Sequence, residues 1–338
     1  MTRAFIAGCS GTTLTPDEAA FFRDAAPWGF ILFKRNIDHP EQVRALCDAL
    51  RETVGRSDAP ILIDQEGGRV QRMGPPHWPK YPAGSAYGRV HANDPLVRRE
   101  IARLGARLMA HDLLAVGINV DCVPVLDVPV PGSHEIIGDR AYGRDPQTVA
   151  VLGRAAAEGL MAGGVLPVIK HVPGHGRAFA DSHLALPVVE TPREELEAHD
   201  FPPFRILADM PLAMSAHVVY TALDPERPGT LSPVVIGDVI RGHIGYDGLL
   251  MTDDLSMHAL SGSFRGRAEA AIAAGCDMLL HCNGVMEEMT GVAEGAPELA
   301  GDGLRRAEAA MIRIRHEPEP FDPVDARARL DAALAAVA

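Results

Sequence analysis

Several side chains that commonly take part in proton transfer occur together between residues 170 and 183. The segment reads Lys170-His171-Val172-Pro173-Gly174-His175-Gly176, and Asp181-Ser182-His183 follows it. A carboxylate two residues before a histidine can hydrogen-bond the imidazole, fix its tautomer and favour its protonated form. A histidine of that kind suits general acid–base catalysis near neutral pH. The cluster therefore indicates a proton-transfer site rather than a surface loop with incidental histidines.

The same segment contains four potential metal ligands, namely His171, His175, Asp181 and His183. Lys170 would place a positive charge beside any metal ion, and the spacing matches no HExxH-type motif. We therefore predict neither a metal nor another cofactor. A metal-dependent hydrolase that uses this loop stays as an alternative.

Two adjacent acids, Asp253 and Asp254, follow another apolar run of the sequence. A carboxylate at the end of a strand can attack the anomeric carbon of a sugar. Neighbouring side chains of an extended strand point to opposite sides, so we expect one acid to face the site and the other to cap a helix or anchor the loop. The residues alone leave the choice between them open.

A third polar segment runs from Asp64 to Arg72 and contains two acids and two arginines. Carboxylates accept hydrogen bonds from pairs of sugar hydroxyls, and arginine donates them in a fixed fork. This composition predicts a site for a carbohydrate or a carboxylated ligand, with an ion-paired loop as the alternative. Gly138-Asp139-Arg140 is a similar, weaker signal.

Eight short apolar runs precede or separate these polar segments at a spacing of roughly thirty to fifty residues, as in βαβ units. Uninterrupted apolar strands that alternate with helices indicate a parallel sheet buried on both faces, and eight units predict a (β/α)8 barrel. An open doubly wound sheet is the alternative, although no GxGxxG follows the first run. The runs are Ala4–Ile6, Gly29–Phe33, Pro60–Ile63, Asn119–Val123, Leu166–Ile169, Leu212–Ala216, Gly248–Met251 and Met278–His281.

The polar segments follow the runs directly, where the functional loops of a barrel lie. We therefore expect them to meet at one mouth of a single catalytic barrel that spans residues 1–338. A final helix, over about residues 323–337, is expected to pack outside the barrel.

The composition excludes several classes of partner. Lys plus Arg number 32 against 45 Asp plus Glu, which gives a formal net charge of −13, whereas nucleic acids and anionic membranes require a cationic face. No apolar stretch approaches the roughly 20 residues of a membrane span, and the run before Cys9 is too short for the roughly 7–15 apolar residues of a signal peptide. Five cysteines without a CxxC pair are typical of buried thiols in a reducing compartment. We expect a cytoplasmic monomer that binds a small ligand.

Taken together, these segments resemble family 3 of the glycoside hydrolases, in particular its single-barrel bacterial β-N-acetylglucosaminidases. The resemblance extends from about Gly29 to about Cys282. One departure is Val172, where the family usually has phenylalanine. The matching segments are Leu32 to Asn36, Asp64 to Arg72, Pro124 to Val128, Ile137 to Arg140, Lys170 to Gly176, Asp181 to His183, Met214 to Tyr220 and Asp253 to Met257.

The resemblance implies a role for each candidate residue. Asp253 would be the nucleophile, and His183 the general acid and base with Asp181 as its partner. His217 would line the site. The residues implied to hold N-acetylglucosamine are Asp64, Arg72, Arg140, Lys170 and His171.

The implied reaction removes a terminal N-acetylglucosamine with retention of configuration, through a covalent sugar–aspartate intermediate. Similar single-barrel enzymes act in cytoplasmic cell-wall recycling, on 1,6-anhydro-muropeptides. Some members with a His–Asp dyad use phosphate in place of water, so a phosphorylase stays as an alternative. A sugar-binding barrel without catalytic activity is the remaining one.

Overall fold

The computed structural model describes residues 1–90, 93–178 and 186–335, in which eight parallel strands close into a barrel. Each strand pairs with the next along the chain, and the last pairs with the first. Every predicted apolar run overlaps one of the eight strands, so the barrel prediction is confirmed and the open sheet is wrong. The strands are β1 (Arg3–Gly8), β2 (Pro27–Leu32), β3 (Ile61–Ile63), β4 (Val120–Asp121), β5 (Leu166–Val172), β6 (Leu212–Ser215), β7 (Leu249–Asp254) and β8 (Met278–His281).

Helices surround the barrel. They are α1 (Pro16–Ala25), α2 (Pro40–Val54), α3 (Gly84–Arg89), α4 (Pro95–Leu114), α5 (Pro146–Ala162), α6 (Arg193–His199), α7 (Pro202–Ile206), α8 (Phe264–Ala274), α9 (Met286–Gly295), α10 (Gly301–Ile312) and α11 (Pro323–Ala335), with a π-helix at Val235–His243 and 3-10 turns at Lys34–Asn36, Gly138–Arg140 and Gly229–Leu231.

Capping side chains fix where several of these helices begin. Thr15 forms a capping box with Glu18 at the start of α1, and Asp94 and Asp145 accept backbone N–H bonds at the starts of α4 and α5. Each of the three precedes a proline, whose fixed φ suits the first helical turn. These local signals set the lengths of the loops that connect the strands to the helices.

Two short two-stranded ribbons involve three of the loops that follow the barrel strands. Gln65–Gly67 pairs antiparallel with Val70–Gln71 directly after β3. Val188–Val189, after β5, pairs in parallel with Val219–Tyr220, after β6. The first ribbon carries the polar segment from Asp64 to Arg72.

Alternate residues of each strand face two different cores. Phe5 and Ala7 of β1 pack against the helices, in the cluster between the barrel and its outer layer. Ala4 and Ile6 belong to a second cluster, which takes residues from all eight strands and fills the barrel. This alternation follows from the two-residue period of a strand, and it decides which side chains reach the mouth of the barrel.

The helix α11 lies on the outside and packs against α4. The guanidinium of Arg327 lies over the Tyr81 ring, 4.5 Å from its centroid, and Leu330 is fully buried. In the part of the chain that the structure describes, none of the helices has the length and apolarity to cross a membrane.

Candidate active site

A cavity of ≈ 240 Å³ opens at the carboxyl ends of the barrel strands. Its polar walls come from the ends of β3, β5 and β7 and from the loops after β3 and β4, and Ile31 of β2, Met214 of β6 and Leu280 of β8 complete the lining. The described parts of the polar segments therefore meet at one mouth of the barrel, as predicted. Six of the residues predicted for the site line the cavity, namely Asp64, Arg72, Arg140, Lys170, His171 and Asp253.

Two carboxylates and three cations form a continuous network at one side of this cavity. The Lys170 Nζ atom lies 2.9 Å from Asp64 Oδ1 and 2.7 Å from Glu66 Oε1. Arg72 donates to Asp64 Oδ2 at 2.9 Å. Arg140 donates to both carboxylate oxygens of Glu66, from Nε at 2.7 Å and from Nη2 at 2.8 Å. The pairs join strand ends and loops that are distant in sequence, so the segment is more than a self-paired loop.

The network keeps its charges despite its burial. Burial alone would raise the pKa of Asp64 and Glu66, but Lys170 and the arginines outweigh it, so that the pKa of Asp64 lies well below its usual range and that of Glu66 falls to about 2. Burial would likewise lower the pKa of Lys170, yet Asp64 and Glu66 raise it above its ordinary value. The cavity thus presents fixed acceptors and donors side by side, an arrangement suited to sugar hydroxyls and an amide.

The fully buried Asp127 holds the histidine loop. Its Oδ2 atom lies 2.7 Å from His171 Nδ1, and its Oδ1 atom accepts from the backbone N–H groups of His171 and His175, at 3.2 and 2.7 Å. Burial would raise the pKa of Asp127, but His171 and these bonds bring it down to about 2. A charged carboxylate can only accept, so His171 Nδ1 carries a proton. Burial also lowers the pKa of His175, to about 4.

The two acids at the end of β7 have different environments. Leu249 and Met251 face the interior of the barrel, but the pairing of β7 with β8 becomes irregular between Met251 and Asp254, and both acids line the cavity. Asp253 Oδ1 accepts from the Asp254 N–H at 2.8 Å. Asp254 Oδ1 accepts from the backbone N–H groups of Ser256 and Cys282, at 2.9 and 3.1 Å, and Oδ2 accepts from the Ser256 hydroxyl. Asp254 therefore anchors the loop.

One expectation about the cavity wall is wrong. The resemblance implied that His217 lines the site, but this residue is fully buried and is not part of the cavity lining. Its Nε2 atom lies 3.0 Å from the carbonyl oxygen of Asp254, and its Nδ1 atom lies 2.8 Å from the Thr230 hydroxyl. It contacts the backbone after Asp253 rather than the space in which a ligand would bind.

The predicted Asp181 and His183 lie outside the described residues. Within residues 1–90, 93–178 and 186–335, no group of three or more His, Cys, Asp or Glu side chains is placed to hold a metal ion. Since two of the four predicted ligands fall outside these ranges, the metal-dependent alternative stays a hypothesis.

Sequence reasoning missed three residues that hold the binding groups in place, and two of them, Glu66 and Arg69, also line the cavity. Glu66 and Asp127 lay in quoted segments without a role of their own. Arg69 was also missed: it donates to Asp139 at 2.9 Å and to the carbonyl oxygens of Glu135 and Ile136 at 2.7 Å, which fixes the loop that carries Arg140. The only signal for them was an acid or arginine near a predicted binding residue, because their partners are remote in sequence.

Comparison with known proteins gives consistent matches over most of the chain. A model described as the N-terminal domain of glycosyl hydrolase family 3 matches residues 17–314. The β-hexosaminidase of Alkalilimnicola ehrlichii is 40% identical over 321 residues, which cover 94% of this chain and 84% of that protein. The β-hexosaminidase of Methylococcus capsulatus is 42% identical over 277 residues, which cover 81% and 80% respectively.

Solved structures agree with these matches. NagZ from Neisseria gonorrhoeae, in complex with N-trifluoroacetyl-D-glucosamine, aligns with a TM-score of 0.85 at 32% identity, over 99% of this chain and 97% of that one. A family 3 β-N-acetylglucosaminidase from Paenibacillus sp. also has a TM-score of 0.85, at 30% identity, and the alignment covers 98% of this chain and 66% of the longer relative.

Proposed function

Because the chain belongs to glycoside hydrolase family 3, we propose that it is a retaining exo-β-N-acetylglucosaminidase. The observation that carries the proposal is the position of Asp253, a carboxylate at the end of β7 in the same cavity as the Asp64, Lys170 and Arg72 network. The proposed nucleophile and a set of fixed polar groups that could bind one sugar thus line the same small cavity.

The size and charge of the cavity support a single terminal sugar as the group bound. Its ≈ 240 Å³ lies below the range of about 300–1,000 Å³ that is typical of sites for drug-sized ligands. Asp64 and Arg72 present an acceptor and a donor for neighbouring hydroxyls, while Arg140, Lys170 and His171 complete the donor set. The structure of NagZ with N-trifluoroacetyl-D-glucosamine makes a 2-amidoglucose the natural candidate.

The reaction proposed is a double displacement. Asp253 attacks the anomeric carbon while protonated His183, with Asp181 as its partner, gives its proton to the glycosidic oxygen; the C–O bond breaks and a glycosyl ester forms. The neutral imidazole then takes a proton from water, the resulting hydroxide oxygen bonds to the anomeric carbon, and Asp253 leaves with net retention. The roles of Asp181 and His183 rest on the family resemblance.

Water is favoured over phosphate as the final acceptor. In the described part of the cavity, Arg69, Arg72, Arg140 and Lys170 are each paired with a carboxylate. A phosphate dianion would therefore have to compete with Asp64, Glu66 and Asp139 for these donors, whereas a water molecule needs no counter-charge. The proposed substrate is a 1,6-anhydro-muropeptide of cell-wall recycling, on the ground of the resemblance.

Turnover of 4-nitrophenyl N-acetyl-β-glucosaminide tests the activity directly. We expect D253N to lose about 10³-fold or more in kcat, because the nucleophile is removed, and D24N, an exposed acid of α1, to match the wild type. A wild type without turnover, or a D253N variant as active as D24N, would refute the proposal.

Mass spectrometry with a 5-fluoro sugar tests the covalent step, with an adduct expected on the peptide that contains Asp253. Turnover without any adduct would point instead to participation of the substrate acetamido group. Product analysis on a disaccharide muropeptide, in phosphate and in its absence, completes the assignment: free sugar supports hydrolysis, and a sugar 1-phosphate contradicts it. Full activity after exhaustive chelation would exclude the metal-dependent alternative.

We further propose that the protein works in the cytoplasm. All five cysteines are buried free thiols, as is usual in a reducing compartment, and burial raises the pKa of Cys9 and Cys47 to about 12. Fractionation of the native cell would place the activity, and its recovery outside the cytoplasm would contradict this proposal.

A further inference from the structure

Residue 254 is held at three points beside the proposed nucleophile. Its N–H donates to Asp253 Oδ1 at 2.8 Å. Its side chain accepts from the backbone of Ser256 and Cys282. Its carbonyl oxygen lies 3.0 Å from His217 Nε2. Any rotation of residue 254 would move the N–H away from the Asp253 carboxylate, so the three anchors bear directly on the position of that carboxylate.

The hydrogen bonds around His217 have a defined direction. The carbonyl oxygen of Asp254 can only accept, so Nε2 carries the proton. In a neutral ring Nδ1 then accepts, and its neighbour at 2.8 Å is the Thr230 hydroxyl, which must donate. The Thr230 oxygen is thereby left to accept from the Ser215 hydroxyl at 2.7 Å. The carbonyl oxygen of Ala216, at 3.2 Å, is a longer competing acceptor for Thr230.

Burial makes the neutral ring the stable form. His217, Thr230 and Ser215 are all fully buried. Burial lowers the pKa of His217; Asp253 and Asp254 oppose the shift, and His171 adds to it. Because burial outweighs the two carboxylates, the ring is neutral near neutral pH, with one donor for the carbonyl of Asp254 and one acceptor for Thr230.

We propose that His217, oriented by Thr230 and Ser215, is a positioning residue that fixes residue 254 and, through its N–H, the carboxylate of Asp253. The chain Ser215, Thr230, His217 starts at the end of β6 and reaches the carbonyl oxygen of Asp254, the last residue of β7, so it connects the two neighbouring strand ends. This inference rests on the proposed function, because it assigns a purpose to the orientation of Asp253. Sub-ångström placement matters for a nucleophile, since a displacement of about 1 Å can cost about 100-fold in rate.

The matched pair T230V and T230S tests the proposal. Valine has the shape of threonine without the hydroxyl that donates to Nδ1, and serine restores that hydroxyl. We expect T230V to lower kcat about 10- to 100-fold while KM changes less than about twofold, because the sugar-binding network is untouched. T230S should recover most of the rate, and H217Q, with an amide N–H at similar reach, should retain more activity than H217F. T53V, which removes a hydroxyl from α2, is the control.

Several outcomes would overturn the proposal. A T230V or H217F enzyme with wild-type kcat would do so, and so would a rise in KM that accounts for the whole loss. Long-range ¹H–¹⁵N NMR on histidine-labelled protein checks the hydrogen-bond direction without any turnover: the His217 signals, assigned with H217Q, should show a protonated Nε2 and an unprotonated Nδ1, and T230V should shift Nδ1. A protonated Nδ1 at neutral pH refutes the chain. Absence of wild-type turnover would instead refute the proposed function and leave the NMR result to decide this one.

Discussion

At the scale of single residues, the site depends on carboxylates that hold its other polar groups in place. Glu66 is 8% exposed and is the shared partner of Arg140 and Lys170. Asp127 has the same function for the histidine loop. Each carboxylate fixes two groups at once, so the order of the cavity depends on a few buried anions.

Replacing Glu66 with glutamine should weaken both binding and folding. The amide leaves Arg140 without a bidentate anion and Lys170 with Asp64 alone, and loss of one partner of a buried pair costs about 3–5 kcal/mol. We expect a lower free energy of unfolding in denaturant titration and a KM at least about tenfold higher, with a smaller fall in kcat. E52Q, at an exposed position of α2, is the control. An unchanged KM in E66Q would contradict the positioning of Arg140 by Glu66.

The lowered pKa of Asp127 predicts that the free energy of unfolding decreases in acid. Its pKa is lowered from 3.8 to about 2 in the folded protein, so the unfolded chain binds the proton more tightly. The stabilisation is complete above about pH 4 and is lost as the pH falls towards 2. In D127N the slope of unfolding free energy against pH in that window should be smaller by about 1 kcal/mol per pH unit. Parallel slopes for wild type and D127N, from denaturant titrations at several pH values, would contradict the assignment.

At the scale of elements, the sequence predicted the strands but not which side of each strand faces inward. The strands of a parallel barrel are apolar on both faces, so nothing in the run Gly248–Met251 distinguishes Asp253 from Asp254. The structure distinguishes the two acids by their partners, because the Asp254 carboxylate accepts from Ser256 and Cys282. Partners such as Asp64 and Lys170, 106 residues apart, likewise come together only through closure of the barrel.

Two ion pairs join the loops after β3 and β4. The loop after β3 supplies the acid in one pair and the arginine in the other. Glu66 and Arg69 of the first loop pair with Arg140 and Asp139 of the second. The Arg69–Asp139 pair is about half exposed, so its coupling energy should be only about 0.2–1 kcal/mol. Arg69 also donates to two carbonyl oxygens, so R69Q should raise KM more than D139N does. A double-mutant cycle on KM and thermal unfolding measures both effects, and equal losses in the two single variants would contradict this account of the loop.

At the scale of the whole molecule, α11 connects the end of the chain to the rest of the fold. It packs on α4, and Leu330 belongs to the same hydrophobic cluster as the outer faces of the barrel strands. A helix attached in this way should unfold together with the barrel, since its apolar face has no other core to join. If the chain is one catalytic unit, α11 and the barrel should therefore unfold in a single cooperative transition.

Replacing Leu330 with alanine, far from the cavity, tests whether α11 and the barrel unfold together. Removal of a fully buried leucine side chain should cost about 2–5 kcal/mol, whereas L96A, at a position 79% exposed on α4, should change stability by less than about 0.5 kcal/mol. Because α11 and the barrel share a core, L330A should keep a single denaturant transition with an unchanged m-value, and its KM at low denaturant should equal that of the wild type. A separate early transition in L330A, seen by far-ultraviolet circular dichroism without loss of activity, would mean that α11 folds independently and that the barrel alone is the cooperative unit.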